Sequence, residues 1–279
     1  MSMHSIPDAK RTSASVDLFG ETFCITAATC SGRRRVNQDC FGWIASSGGD
    51  LTGTMVGSAM ETGSCGLPDF LLAIVCDGLG GMRDGDKASR SVVDGMVAWA
   101  ASGGLASGDP ALGIVRAATA IEGRLRSDYP RSGTTMSIVA AVGGRWTSAH
   151  LGDSRCYAVY RDRVWRTRDH SRVGRLFREG RITEDQMNTH PESNVMDRCM
   201  GTGDAAGTEV GPIEDGWQRL ALCSDGAFGY MTVARFGALL REATDAMDIL
   251  ESSYGSGSDD NITVLTVDRR RRRRAHVFK

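Results

Sequence analysis

The chain has 279 residues, 41% of them hydrophobic and 24% charged, a globular composition that excludes a fibrous or wholly disordered protein. Its formal charge is −1, yet residues 269–279 hold six arginines and one lysine. Without those seven, 26 basic residues face 34 acidic ones, so an acidic body carries a basic tail and the body alone is no nucleic-acid binder.

The N-terminus has no apolar leader, and runs such as 70–76 fall far short of the ~20 residues a membrane helix needs. No lipidation motif stands at either end. A cytoplasmic protein without a membrane span is expected. Eight cysteines without a C-x-x-C pair read as reduced, mostly buried thiols. Asn261-Ile262-Thr263 fits a glycosylation sequon by accident.

In chain order, 23–29 reads as a strand, followed by a basic turn at 32–35. Residues 46–68, rich in Gly, Ser and Thr, read as a long surface loop or irregular hairpin. Phe70 to Cys76 is a continuous apolar run ending in Asp77-Gly78, the pattern of a strand buried on both faces. Helical spacing follows over 86–101, then a second helix capped by Asp109-Pro110 and running to about Arg126. Short strands are expected at 136–142, 145–150, 156–160 and 164–167. After them come a helix at 172–180, a cap at Thr183, a strand at 219–223, a helix at 233–243 and a last strand at 262–267. No repeat is visible. Strands, helices, a strand meander, helices and a strand indicate α+β, with helices outside largely antiparallel sheets.

Asp39, Asp77, Asp153, Asp225 and Asp260 each sit beside an apolar strand-like segment. Carboxylates at strand ends project from rigid elements into a shared cleft. Converging without His or Cys ligands, they would select hard ions, Mg²⁺ or Mn²⁺. Taken singly, each is equally at home as a helix cap or turn residue.

The sequences around these acids resemble the metal-dependent protein phosphatases, the PPM or protein phosphatase type 2C family. The resemblance rests on Gly32-Arg-Arg-Arg-Val-Asn-Gln-Asp39, Val75-Cys-Asp-Gly-Leu-Gly-Gly81, Ser132-Gly-Thr-Thr135, Gly152-Asp-Ser-Arg155, Thr167-Arg-Asp-His-Ser171, Cys223-Ser-Asp-Gly226 and Asp260-Asn-Ile-Thr-Val264. These stand in the family's order from about residue 23 to 268. The resemblance implies a four-layer α-β-β-α sandwich, a central antiparallel β-sandwich flanked by helices, with metals at one edge. It implies an N-terminal extension (1–20), a phosphatase domain (21–268) with a flap near 169–203, and an Arg-rich tail (269–279).

By the same resemblance, Asp77 bridges two Mn²⁺ or Mg²⁺ ions and the Gly78 carbonyl binds one of them. Asp225 and Asp260 complete the second ion's shell, and Asp39, beside Gln38, holds a water. Asp153 with Asp225 forms a weaker third site, and Arg34 grips the substrate phosphate bidentately, as lysine could not. The implied activity is protein serine/threonine dephosphorylation by a water activated between two ions. The implied partners are phosphorylated proteins and an opposing serine/threonine kinase, for a monomeric enzyme. Apart from the resemblance, six consecutive arginines attract phosphates, so the tail reads as meeting an acidic partner or nucleic acid, or as a solvated tail. No covalent phosphoenzyme is needed, so Cys76 and Cys223 are structural thiols, as His170 and His150 are structural histidines. Leu79 stands where eukaryotic members often carry a histidine and, with Gln38, points to the bacterial branch. Ala227-Phe228 also departs from the usual pattern.

Two other readings stay in view. Gly78-x-Gly80-Gly81 lacks the lysine and spacing of a nucleotide loop. A catalytically inactive binding or sensing module is the alternative; such proteins usually lose one or more of the aspartates, and all five are present here.

Overall fold

The computed structural model describes residues 6, 8–55, 58–59, 63–79 and 84–270. Two antiparallel sheets stack face to face. The first runs in the order β1 (Lys10–Leu18), β2 (Glu21–Cys30), β14 (Ile262–Arg269), β13 (Arg219–Cys223), β10 (Arg155–Val159), β11 (Val164–Arg166). The second runs β12 (Glu209–Ile213), β9 (Arg145–Leu151), β8 (Met136–Val142), β7 (Phe70–Asp77), β3 (Asp39–Ser47), β4 (Asp50–Met55), β5 (Ser58–Ala59), with β6 (Gly63–Ser64) also on β4.

Alternation along the strands sets the layers. Leu71, Ala73 and Val75 of β7 point into the space between the sheets, where they meet Phe23, Ile25, Leu265 and Trp217. Phe70, Leu72, Ile74 and Cys76 point outward, against α1 (Gly85–Ala101) and α2 (Pro110–Asp128). The connection from β11 to β12 carries α3 (Arg172–Arg178) and α4 (Glu184–Met187). On the outer face of the first sheet lie α5 (Asp225–Phe228), α6 (Val233–Glu242) and α7 (Ala246–Gly255). The order is α-β-β-α, as the resemblance implies. Fully burying one large apolar side chain contributes roughly 1.5–3 kcal/mol, so three such layers leave the fold no need of staples. All eight cysteines are free thiols.

Local signals set the helix starts. Asp109 accepts the Ala111 N–H ahead of Pro110, and Asp245 accepts from Met247 and Asp248 at the start of α7. The expected strands and helices appear, and 46–68 is the irregular hairpin of β4 to β6.

The domain begins earlier than expected. Lys10–Leu18 pairs along its length with β2, so the boundary at residue 20 falls in a hairpin turn and the sheet gains an edge strand. At the other end, the expected tail lends Arg269 to β14 and the Arg270 N–H to the Thr22 carbonyl. Residues 271–279 lie outside the described residues, as do Gly80 and Gly81 of the glycine motif.

Candidate metal centre

Antiparallel order sends neighbouring strands in opposite directions. The C-terminal ends of β2, β7, β9 and β13 and the N-terminal ends of β3, β8, β10 and β14 therefore share one edge of the sandwich. All five aspartates stand there. Asp39 opens β3 directly opposite Asp77, which closes β7. Asp225 starts α5 immediately after β13, Asp260 lies two residues before β14, and Asp153 lies in the turn between β9 and β10. The two sheets thus contribute carboxylates from opposite sides. Arg34, Gln38, Asp77, Gly78, Asp153, Asp225 and Asp260 line a cleft of about 830 Å³, with Asp39 buried behind them.

Burial pushes the Asp39 carboxyl up to about 7, with Asp225 and Asp260 adding repulsion against hydrogen bonds from Ser224 and Thr263. Asp225 is pushed up to about 6 by burial and by Asp260, although Asp77 hydrogen-bonds to it. Burial and neighbouring carboxylates raise Asp77 and Asp153 well above the usual range. So many ionised carboxylates repel unless cations lie among them. Asp39 Oδ1 and Asp225 Oδ1 are buried with no hydrogen-bond partner among the described residues. An all-oxygen set with orphaned acceptors fits hard divalent ions and suits zinc or copper poorly.

Residues remote in sequence hold this edge in shape. Thr135 Oγ1 accepts the Asp77 N–H at 2.8 Å, and Thr134 Oγ1 donates to the Asp77 carbonyl at 2.8 Å. Ser224 Oγ donates to Asp39 Oδ2 at 2.7 Å. Gly78 admits no side chain: a Cβ there would lie 2.3 Å from the Gly85 carbonyl oxygen. Glu122 of α2 is buried and accepts backbone N–H groups of Gly201, Gly203 and Ala205 at 2.8–3.0 Å. Met200, one residue earlier, bridges to Thr134.

Asn261 binds the loop that carries Arg34. Its Oδ1 accepts the Gln38 N–H at 2.8 Å, and its Nδ2 donates to the Ser31 and Val36 carbonyls at 2.9 and 3.0 Å. Replacing Asn261 by alanine strands three polar groups, each worth about 1–3 kcal/mol when buried unpaired. We expect a lower melting temperature and a several-fold rise in KM for an aryl phosphate, measured together on one preparation.

Of the three neighbouring arginines, Arg34 reaches the acids: its Nη2 donates to Asp260 Oδ2 at 2.9 Å, with the side chain half exposed at the cleft mouth. The flap arginines are engaged internally. Arg172, Arg175 and Arg181 pair with Glu192, Asp197 and Glu179, and Arg178 donates to the Asp169 carbonyl. The site-edge network of Thr134, Thr135, Ser224, Glu122 and Asn261 escapes sequence reasoning except through the motifs that contain four of them.

Comparison with known proteins gives the family and the fold. The protein phosphatase 2C family model matches residues 61–259. A serine/threonine phosphatase from Listeria innocua is 30% identical over 215 residues, covering 71% of this chain and 84% of its own length. The serine/threonine protein phosphatase PstP of Mycobacterium tuberculosis is 28% identical over 205 residues, and the match spans 40% of its length. The crystal structure of Stp1 from Staphylococcus aureus superposes with a TM-score of 0.67 at 20% identity, covering 96% of this chain and 97% of that one, a likeness of fold. The chain belongs to the protein phosphatase 2C, or PPM, family and is a protein phosphatase of bacterial type.

Proposed function

We propose that the chain hydrolyses phosphoserine and phosphothreonine in proteins at the edge cleft, with two divalent ions, Mn²⁺ or Mg²⁺. The observation that carries this is the meeting of Asp39, Asp77, Asp225 and Asp260 from both sheets, two with orphaned buried oxygens, beside Arg34. Asp77, the Gly78 carbonyl, Asp225 and Asp260 would hold the two ions, and Asp153 with Asp225 would hold a weaker third. The ions supply Lewis acidity, which lowers the pKa of bound water and offsets charge on the phosphoryl oxygens.

The chain's own groups do the rest. Arg34 exchanges its contact with Asp260 for the substrate phosphate and orients it for in-line attack. Asp39, fixed by Ser224, orients the attacking water from behind Asp77. Leu79 has no proton to give, so either a water in the site protonates the departing alkoxide or the favoured leaving group departs without one. Cys76 and Cys223 are excluded as nucleophiles because burial raises both thiols far from the thiolate form.

We place the enzyme in the cytoplasm as a monomer opposing a serine/threonine kinase. Among the described residues no helix is long and apolar enough to cross a membrane. The Arg-rich tail is proposed to engage an acidic partner. The presence of all five aspartates favours catalysis over an inactive binding module.

Hydrolysis of p-nitrophenyl phosphate and of a phosphothreonine peptide, each with Mn²⁺, Mg²⁺ or EDTA, tests this reading. Activity is expected to depend on metal and vanish in EDTA. Arg34→Ala is expected to raise KM about tenfold or more, the loss of one charge-assisted bidentate contact. Turnover in EDTA, or an unchanged KM in Arg34→Ala, would overturn it.

A further inference from the structure

Two buried histidines lie behind the Asp153 turn, unused by the mechanism above. His150 of β9 and His170 stack with ring centroids 4.5 Å apart. With Glu209 of β12 they bring three ligand-type atoms within 4.8 Å of one another. Their hydrogen bonds nonetheless argue against a metal between them. The Gly152 N–H donates to His170 Nδ1 at 3.2 Å, so the neutral ring carries its proton on Nε2, which lies 3.1 Å from Glu209 Oε1 without the alignment of a hydrogen bond. His150 Nε2 lies 2.7 Å from the Arg168 carbonyl and is therefore also a donor. Arg198 already sets a guanidinium 3.1 Å from that same Glu209 oxygen. Neither Nε2 nitrogen has a lone pair to offer.

The same bonds converge on the backbone around Asp153. His170 grips both polar groups of Gly152, its ring taking the N–H and its own N–H donating to the carbonyl at 2.9 Å. Gly152 has φ +110°, and a Cβ there would lie 2.7 Å from Thr135 Cγ2. On the far side of Asp153, Ser154 Oγ meets Thr135 Oγ1 at 2.6 Å. Asp153 thus hangs between two neighbours that are fixed independently. The segment bearing His170 is itself anchored, because Arg155 holds Asp169 through two bonds at 2.9 and 2.7 Å.

We propose that His170 is a positioning residue for Asp153, its tautomer set by the Gly152 N–H at Nδ1 and favoured by the negative charge of Glu209 near Nε2. The logic is that of a carboxylate that orients an imidazole without entering the chemistry. Burial, with His150 and Arg198 against Glu209, holds the His170 ring down to about 4, so it stays neutral and Nδ1 stays an acceptor. The inference rests on reading Asp153 as a cation ligand.

The test is Mn²⁺ binding by titration calorimetry on the full chain and on the variants His170→Phe, His170→Asn, Glu209→Gln and Asp153→Asn, with metal-free melting temperatures alongside. Phenylalanine keeps the stacked ring without an acceptor, whereas asparagine keeps an acceptor near Nδ1. His170→Phe is expected to weaken the weakest Mn²⁺ class about 10–100-fold, the usual cost of removing an outer partner of a metal ligand. His170→Asn should recover most of that loss, and Glu209→Gln, at a half-exposed side chain, should show a smaller weakening with the fold intact. Adding His170→Phe to Asp153→Asn should cost nothing further. Wild-type Mn²⁺ affinity in His170→Phe, with only a lower melting temperature, would overturn the positioning role. Should Asp153→Asn remove no Mn²⁺ class from the wild type, the reading of Asp153 as a ligand falls instead.

Discussion

Replacing Asp77 by asparagine is expected to abolish metal-dependent phosphatase activity while raising the melting temperature of the metal-free protein. The two effects have one cause. Burial pushes the Asp77 carboxyl up, and Asp39, Asp225, Asp153 and Asp260 around it push it further. Asparagine is neutral without taking up a proton, so the folded metal-free protein is spared the cost of keeping that acid protonated, and the same change removes the ligand proposed to serve both ions. Lewis-acid stabilisation worth several kcal/mol corresponds to roughly a 10³-fold fall in kcat at about 1.4 kcal/mol per decade.

The pH dependence of the metal-free protein follows with its sign. Asp39 and Asp225 lie at about 7 and about 6, above their ordinary value of 3.8. The folded state therefore binds more protons than the unfolded state in that window, so stability is greatest below it and falls as pH rises through it. Melting scans in EDTA should give a higher midpoint at pH 5 than at pH 8. Saturating Mn²⁺ should stabilise the wild type most at the higher pH, where its ligands are ionised, and should do little for Asp77→Asn.

The second large effect is expected at Arg155, in stability. This arginine is buried, holds Asp169 through two hydrogen bonds, contacts the Tyr157 hydroxyl at 3.1 Å and lies over the Phe228 ring at 3.9 Å. Burial alone would push Asp169 up; the guanidinia of Arg155 and Arg166 override it and hold the carboxyl below its ordinary value. Arg155→Met leaves Asp169 buried with only the weaker contact to Arg166, at 3.1 Å. Breaking one side of such a pair costs about 3–5 kcal/mol. At roughly 2–4 °C per kcal/mol for a domain of this size, the melting temperature should fall by about 10 °C. Adding Asp169→Leu should recover part of the loss, since an apolar pair of similar volume does not strand a charge. A double variant no more stable than Arg155→Met would show that the loss lies elsewhere.

What could be read from the sequence had a local cause. The run at 70–76, the helices flanking the Asp109 cap and the short strands from 136 onward carry their periodicity in adjacent residues. The five acids are legible because each stands beside a strand end. The missed elements lack such signals. β1 alternates mostly polar residues because it is an edge strand with one face in solvent, and β3 hides its apolar positions among Gly42, Ser46 and Ser47. β12 contains Gly211 and Pro212, tolerable only at the sheet edge it occupies. α7 is capped by Asp245, a role plain only once the helix is seen. The bonds that shape the site were illegible for a different reason. Glu122 meets its amides about 80 residues away, and Asn261 meets Gln38 across 223 residues. Pattern reveals a residue's own element and is silent about the partner that folding brings to it.

The register that sets Asp39 opposite Asp77, with Asp225 and Asp260 arriving from the other sheet, also has a mechanical side. At the opposite end of the strands the sandwich is closed by Phe23, Trp146 and Trp217, with the two indoles 4.7 Å apart and nearly perpendicular. One end is fastened by contacts that are always present, the other holds acids that repel one another whenever they are ionised. The molecule is built like a clasp with a permanent hinge of aromatic rings and, on the proposed function, a latch of ions. Starved of metal, it should first loosen at the end where it works, so that loss of activity precedes loss of the fold.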